Sequence, residues 1–211
     1  MFPAAALFDL DGVLVDTETE YTRIWRDIES HYPTGIDNFA LKIKGNTLPR
    51  ILETYFPAPE VQTDICRMLK EREEAMEYRI FAGVEAFLDE LRTHGVPAAI
   101  VTSSGVAKME RLFGSLPGFR ERFGAVLTDA DVTHSKPHPE GYLKAAARLG
   151  VKPEECIVFE DSFSGLQAGR SAGAKVVALA TTNPYRTLVD KADAVIDSFD
   201  GLCLEALLKK L

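Results

Sequence analysis

The sequence predicts an α/β protein: a Rossmann-like, three-layer parallel sheet core carrying a small inserted α-helical domain. Three observations lead there. From about residue 82 onward, short apolar runs alternate with amphipathic helical patterns, the signature of parallel strands joined by right-handed helical crossovers. One further apolar run, AAALF, stands apart at the N-terminus. Between it and the alternating region, residues 17–81 carry helical periodicity and no strand.

The elements follow in order. AAALF reads as a buried strand. ETEYTRIWRDIESHY and PEVQTDICRMLKEREEAMEYRI read as amphipathic helices, and the charge density of KEREEAMEYR suits a separate, partly solvated unit. Residues 1–16 and 82–211 are therefore assigned to the core and 17–81 to the inserted domain, with hinges near Asp16-Thr17 and Phe81-Gly83. GVEAFLDELRTHG places Val84, Phe87, Leu88 and Leu91 on one helical stripe. VPAAIVTS is the next strand, VAKMERLF a helix, and AVLTD a strand. PEGYLKAAARLG is a helix with Pro139 at its start and Gly150 at its end. CIVFED, SFSGLQAGRSAG and KVVALA complete the series as strand, helix and strand.

Composition narrows the function. The 211 residues carry a net charge of -8, which argues against nucleic-acid or anionic-membrane partners. No apolar stretch approaches a membrane span, and Asp9 and Asp11 interrupt any secretory-signal pattern. Cys66, Cys156 and Cys203 are far apart with no metal-ligand spacing, as expected of reduced thiols in a cytoplasmic protein. A G-x-x-x-x-G-K-[ST] loop and a G-x-S-x-G elbow are both absent. His134 and His138 stand four apart, but Pro137 and Pro139 forbid a regular helix there, so they read as surface-loop histidines.

In a parallel sheet the carboxyl ends of all strands share one edge, and ligands bind there. Asp9 and Asp11 follow the first strand; Thr102, Ser103, Ser104 and Gly105 follow the second; Ser135-Lys136-Pro137 follows the third; Glu160, Asp161 and Ser162 follow the fourth. Four carboxylates against one ammonium cannot persist in a cleft without a counter-ion, and an all-oxygen ligand set favours Mg²⁺ over zinc. T-S-S-G before a helix offers backbone N–H groups to an anion. Cations that neutralise a phosphate so that an anionic Asp can attack it make a phosphoryl-transfer site.

FDLDGVLVDTE, VTSSG, HSKPHPE and FEDSFSG resemble, in order, the four motifs of the haloacid dehalogenase superfamily. The inserted helices look like its small helical cap, and the nearest subgroup is that of the beta-phosphoglucomutase-like phosphatases and mutases. The resemblance implies that Asp9 is the nucleophile and becomes an aspartyl phosphate. It makes Asp11 the general acid and then the base, with its main-chain carbonyl on the metal. Thr102 would hold the phosphate and Lys136 would balance charge. Asp9, Asp11, Glu160 and Asp161 together form the expected Mg²⁺ site.

Thr17, Ser103 and Ser104 count as candidate substrate contacts, as do Trp25, Lys44 and Arg50 of the cap. Tyr21 stands where the mutases of the subgroup carry a cap histidine. The expected protein is thus a monomeric phosphatase of a small phosphorylated metabolite such as a sugar phosphate. A beta-phosphoglucomutase-type phosphotransferase is the alternative, and a non-enzymatic phospho-Asp switch or sugar-phosphate binder a remoter one.

Overall fold

The computed structural model describes residues 2–43 and 48–211. The chain forms two compact units, one running to Asp16 and resuming at Tyr78–Leu211, the other Thr17–Glu77. In the larger unit, β1 (Ala5–Phe8), β2 (Ala98–Val101), β3 (Ala125–Leu127), β4 (Cys156–Glu160), β5 (Lys175–Leu179) and β6 (Ala194–Ile196) make one sheet in the order β3-β2-β1-β4-β5-β6. Every neighbouring pair is parallel, and Leu7 sits opposite both Ala99 and Val158. β1, β2 and β4 are buried along their whole length, which is why they read as continuous apolar runs rather than alternating ones.

Helices cover both faces. Ala5 and Leu7 pack with Tyr142, Ala145 and Ala146 of helix Glu140–Leu149 and with Leu166 and Ala168 of helix Phe163–Ser171. Phe8 points to the other face, where its ring stacks on Phe159 at 4.7 Å and meets Phe87 of helix Val84–Thr93 edge-on at 6.5 Å. Burying each such side chain contributes roughly 1.5–3 kcal/mol. These contacts make the three layers that the sequence predicts.

β6 was not read from the sequence. Its run, AVI, is three residues long and lies between Asp193 and Asp197, so it carries too little apolar signal to stand out. Its flanking acid belongs to the sheet: the Asp193 carboxylate accepts the Val176 N–H at 2.8 Å.

The smaller unit is helical: Thr17–His31, Phe39–Lys42, Leu48–Tyr55 and Pro59–Glu74. It has its own core, built from Ile24, Ile28, Phe39, Ile51 and Ile65 among others. The last helix ends at Glu74, although helical spacing was expected to run to Ile80. Residues 78–81 instead join the larger unit. Ile80 bridges Val15 antiparallel, Asp16 N–H donates to the Arg79 carbonyl (2.9 Å), and Phe81 N–H donates to that of Leu14 (3.0 Å). Among the described residues no helix is long and apolar enough to cross a membrane.

Candidate active site

Sheet order locates the site. The chain winds from β1 outward through β2 to β3, then returns to lay β4, β5 and β6 on the other side of β1. The carboxyl ends of β1 and β4 therefore flank the switch point, where a crevice opens in folds of this kind. Asp9 follows β1 there, its N–H donating to the Phe159 carbonyl (3.0 Å), and Glu160 ends β4.

Lys136 joins the two. Its Nζ donates to Asp9 Oδ1, to Glu160 Oε1 (2.7 Å) and to the Val101 carbonyl (2.9 Å), so all three ammonium protons are used. Burial works against its charge, but Asp9 and Glu160 outweigh that and hold the lysine well above its usual range. Glu160 is fully buried. Its Oε1 also accepts from the Tyr142 hydroxyl (2.9 Å), and its Oε2 from the N–H groups of Asp161 and Ser162 and the Ser162 hydroxyl (3.0–3.1 Å).

The acids are crowded as well as buried. Asp9, Glu160 and Asp161 each bring a carboxylate oxygen within 4.8 Å of the others. Burial pushes the Asp9 carboxyl up against the pull of Lys136, and Glu160, Asp161 and Asp11 push the same way. Burial and then Glu160 raise Asp161 to about 7. A hard divalent cation relieves such crowding and finds only oxygen ligands here, so the residues fit Mg²⁺. Glu160 has the least to offer an ion directly, because a carboxylate has about four lone-pair sites and its own are taken up by protein donors. Room for Asp161 comes from Gly12, where a β-carbon would lie 2.1 Å from Asp161 Oδ2.

Asp11 is held from the other side. Ser104 Oγ donates to its Oδ2 (2.8 Å) and Lys108 Nζ to its Oδ1 (2.6 Å). Thr102 is buried, its N–H continuing the sheet to the Leu127 carbonyl (3.0 Å) and its hydroxyl accepting from Ser104 N–H (3.0 Å). Asp9, Asp11, Thr102, Lys136, Glu160 and Asp161 thus gather at one edge of one sheet.

A family model, haloacid dehalogenase-like hydrolase, matches residues 3–173. The chain belongs to the haloacid dehalogenase-like hydrolase family. It is 35% identical over 179 residues to the fructose-1-phosphate phosphatase YqaB of Escherichia coli, covering 82% of this chain and 95% of that one. Among solved structures it resembles a haloacid dehalogenase family hydrolase of Deinococcus radiodurans with bound phosphate and sodium. That likeness has a TM-score of 0.82 and 26% identity over 98% of this chain and 96% of that one. It also resembles the beta-phosphoglucomutase of Clostridium difficile, with a TM-score of 0.72 and 26% identity over 100% and 97% of the two chains.

The other candidate residues of this haloacid dehalogenase-like hydrolase divide. Ser104, expected to touch substrate, is turned to Asp11, whereas Ser103 is exposed. Within the helical unit, Thr17 is buried and Arg50 exposed. Trp25 packs edge-on against Phe39 at 6.1 Å and lines a cavity of about 290 Å³ with Tyr21, whose hydroxyl donates to Glu73 Oε1 (2.9 Å). Lys44 lies outside the described residues.

Two residues escaped the sequence reading. Tyr142 is a buried aromatic on a helix, indistinguishable there from ordinary core. Lys108 had a signal: it sits in the first turn of helix Val106–Ser115, where the macrodipole disfavours a cation that has no anionic neighbour.

Proposed function

We propose that this hydrolase is a Mg²⁺-dependent phosphatase of a small phosphorylated metabolite, a sugar phosphate, working through an aspartyl phosphate on Asp9. The observation that carries this reading is Lys136, its side chain only 11% exposed and shared between the buried carboxylates of Asp9 and Glu160. A lysine so held supplies fixed positive charge beside a carboxylate that must approach a dianion.

Asp9 attacks phosphorus, the ester P–O bond breaks, and Asp11 gives its proton to the departing alcohol. Water then attacks the same phosphorus, Asp11 takes a proton from it, and the P–O bond to Asp9 breaks to free inorganic phosphate. Lys136 stays protonated throughout and keeps Asp9 aimed. The Thr102 hydroxyl and the Ser103 N–H receive the phosphate oxygens, since the Thr102 and Ser104 N–H groups are spent on the Leu127 carbonyl and the Thr102 hydroxyl. Asp9 and Asp161, with the main-chain carbonyl of Asp11, would hold Mg²⁺, and Glu160 would stand beside them as the tie to Lys136. When bound, the ion offsets phosphate charge that would otherwise repel Asp9.

The helical unit, as a cap, would choose the leaving group, and Trp25 and Tyr21, which line its own cavity, are the residues to vary. The fructose-1-phosphate phosphatase relative supports a sugar phosphate as substrate. The test is phosphate release across a panel of sugar, polyol and nucleoside phosphates, with Mg²⁺ and with excess chelator. Release from sugar phosphates that stops on chelation is the expected result. Undiminished release in chelator would contradict the metal assignment, and no release from any member would contradict the reading.

A further inference from the structure

The phosphatase reading gives Asp11 two proton transfers, and neither works unless its carboxylate is aimed at the reacting oxygen. Asp11 stands beyond the end of β1, and its side chain is about a third exposed at 30%. Two donors from a different part of the chain hold it, Ser104 Oγ at 2.8 Å on Oδ2 and Lys108 Nζ at 2.6 Å on Oδ1. Each carboxylate oxygen thus has its own partner, so both the position and the plane of the group are set.

Lys108 is itself in an unusual place. A lysine in the first turn of a helix faces the positive end of the macrodipole, so the helix does not favour its charge there. Its side chain is only 16% exposed, so solvent is not the main partner of the ammonium. Lys136 is already occupied by Asp9, Glu160 and a main-chain carbonyl. The two acids of the D-L-D sequence therefore have separate lysines, one for the nucleophile and one for the proton carrier.

We propose that Lys108, with Ser104, is a positioning residue that holds Asp11 in line for water attack on the aspartyl phosphate. In that step the water oxygen bonds phosphorus, the P–O bond to Asp9 breaks, and the water proton passes to Asp11. Lys108 touches neither water nor phosphate in this role; it acts through Asp11. The inference rests on the aspartyl-phosphate reading, and it assigns the lysine to the second half of the reaction.

The test uses the full chain with Mg²⁺ and p-nitrophenyl phosphate, whose leaving group needs no proton from the enzyme. Rapid acid quench then gives the fraction of protein carrying hydroxylamine-labile phosphate in the steady state, alongside kcat and KM. In Lys108→Met, kcat should fall about tenfold or more, as misplacing a reacting group by about 1 Å can cost 10²-fold. KM should not rise, and the phosphorylated fraction should increase. Lys108→Arg, which keeps the charge, should recover part of kcat and lower that fraction again. A merely structural lysine would lower kcat and the phosphorylated fraction together, and that result would overturn the proposal, as would an unchanged kcat in Lys108→Met. If the wild type itself forms no phosphoenzyme on Asp9, the phosphatase mechanism fails first and this inference with it.

Discussion

Gly165 lies against Glu160 so closely that a β-carbon on the glycine would fall 1.7 Å from the Glu160 Oε1 atom. The glycine of FEDSFSG is thus the space into which the buried carboxylate fits, and its N–H is capped by the Ser162 hydroxyl at 3.1 Å. Gly165→Ala should push Glu160 off Lys136 and Tyr142. We expect a stability loss of about 1–3 kcal/mol, the usual cost of overpacking, together with a larger loss of turnover. Chemical denaturation and steady-state rates measured on the same variant would check it. Wild-type activity in Gly165→Ala would show that the Glu160–Lys136 contact is dispensable.

Lys136 sits between two buried carboxylates, so removing it leaves both without their cation. Lys136→Met should be inactive and destabilised by about 3–5 kcal/mol, the range for breaking a buried pair. Adding Glu160→Gln to it should recover part of that stability, because one uncompensated charge disappears, but none of the activity. Equal stability of the single and double variants would contradict the coupling.

The loop that carries Lys136 is anchored by Glu140, giving a pH signature. Lys144 (2.6 Å) first, then the Thr133 and His134 N–H groups, hold the Glu140 carboxyl well below the usual range. A folded-state pKa below the unfolded value of about 4.3 stabilises fully above that value, and the contribution fades as pH falls toward the folded pKa. Glu140→Gln should therefore be less stable than wild type at pH 7, with the gap closing below about pH 4. Urea unfolding at pH 7, 4 and 3 would measure it. A gap independent of pH would mean that Glu140 acts by packing alone.

Much of the fold was legible because parallel strands are buried on both sides and appear as unbroken apolar runs: AALF, AAIV, AVL, CIVFE and KVVAL all became strands. The candidate site was legible for a related reason, since the residue just after such a run must lie on the ligand edge. What escaped depends on contacts between distant segments. Lys108 meets Asp11 across 97 residues and Tyr142 meets Glu160 from a helix face, so neither pairing leaves a local spacing to read. Ser104 was read with the phosphate turn to which it belongs, yet its side chain serves Asp11. β6 was missed because three apolar residues between acids carry no period.

Tyr21 bears on the choice between hydrolysis and isomerisation. Its hydroxyl is bound to Glu73, at the position where the mutases are expected to carry a histidine. A mutase must keep water off the aspartyl phosphate until its sugar bisphosphate has turned round, whereas a phosphatase admits water at once. Given beta-glucose 1-phosphate and a bisphosphate primer, the enzyme should yield inorganic phosphate in large excess over glucose 6-phosphate. Phosphorus NMR follows both products in one tube, and a dominant glucose 6-phosphate signal would make it a mutase.

Asp9 is the residue proposed to carry the phosphate. The most direct measurement is to quench the Asp11→Asn enzyme in acid during turnover of phosphorus-labelled p-nitrophenyl phosphate, whose leaving group needs no proton, and map the modified peptide. Losing the proton carrier typically costs roughly 10²–10⁴-fold in rate, which should let the intermediate accumulate. Label is expected on Asp9, removed by hydroxylamine, and none in an Asp9→Asn control, which should also be inactive. Label on any other residue, or turnover by Asp9→Asn, would contradict that role.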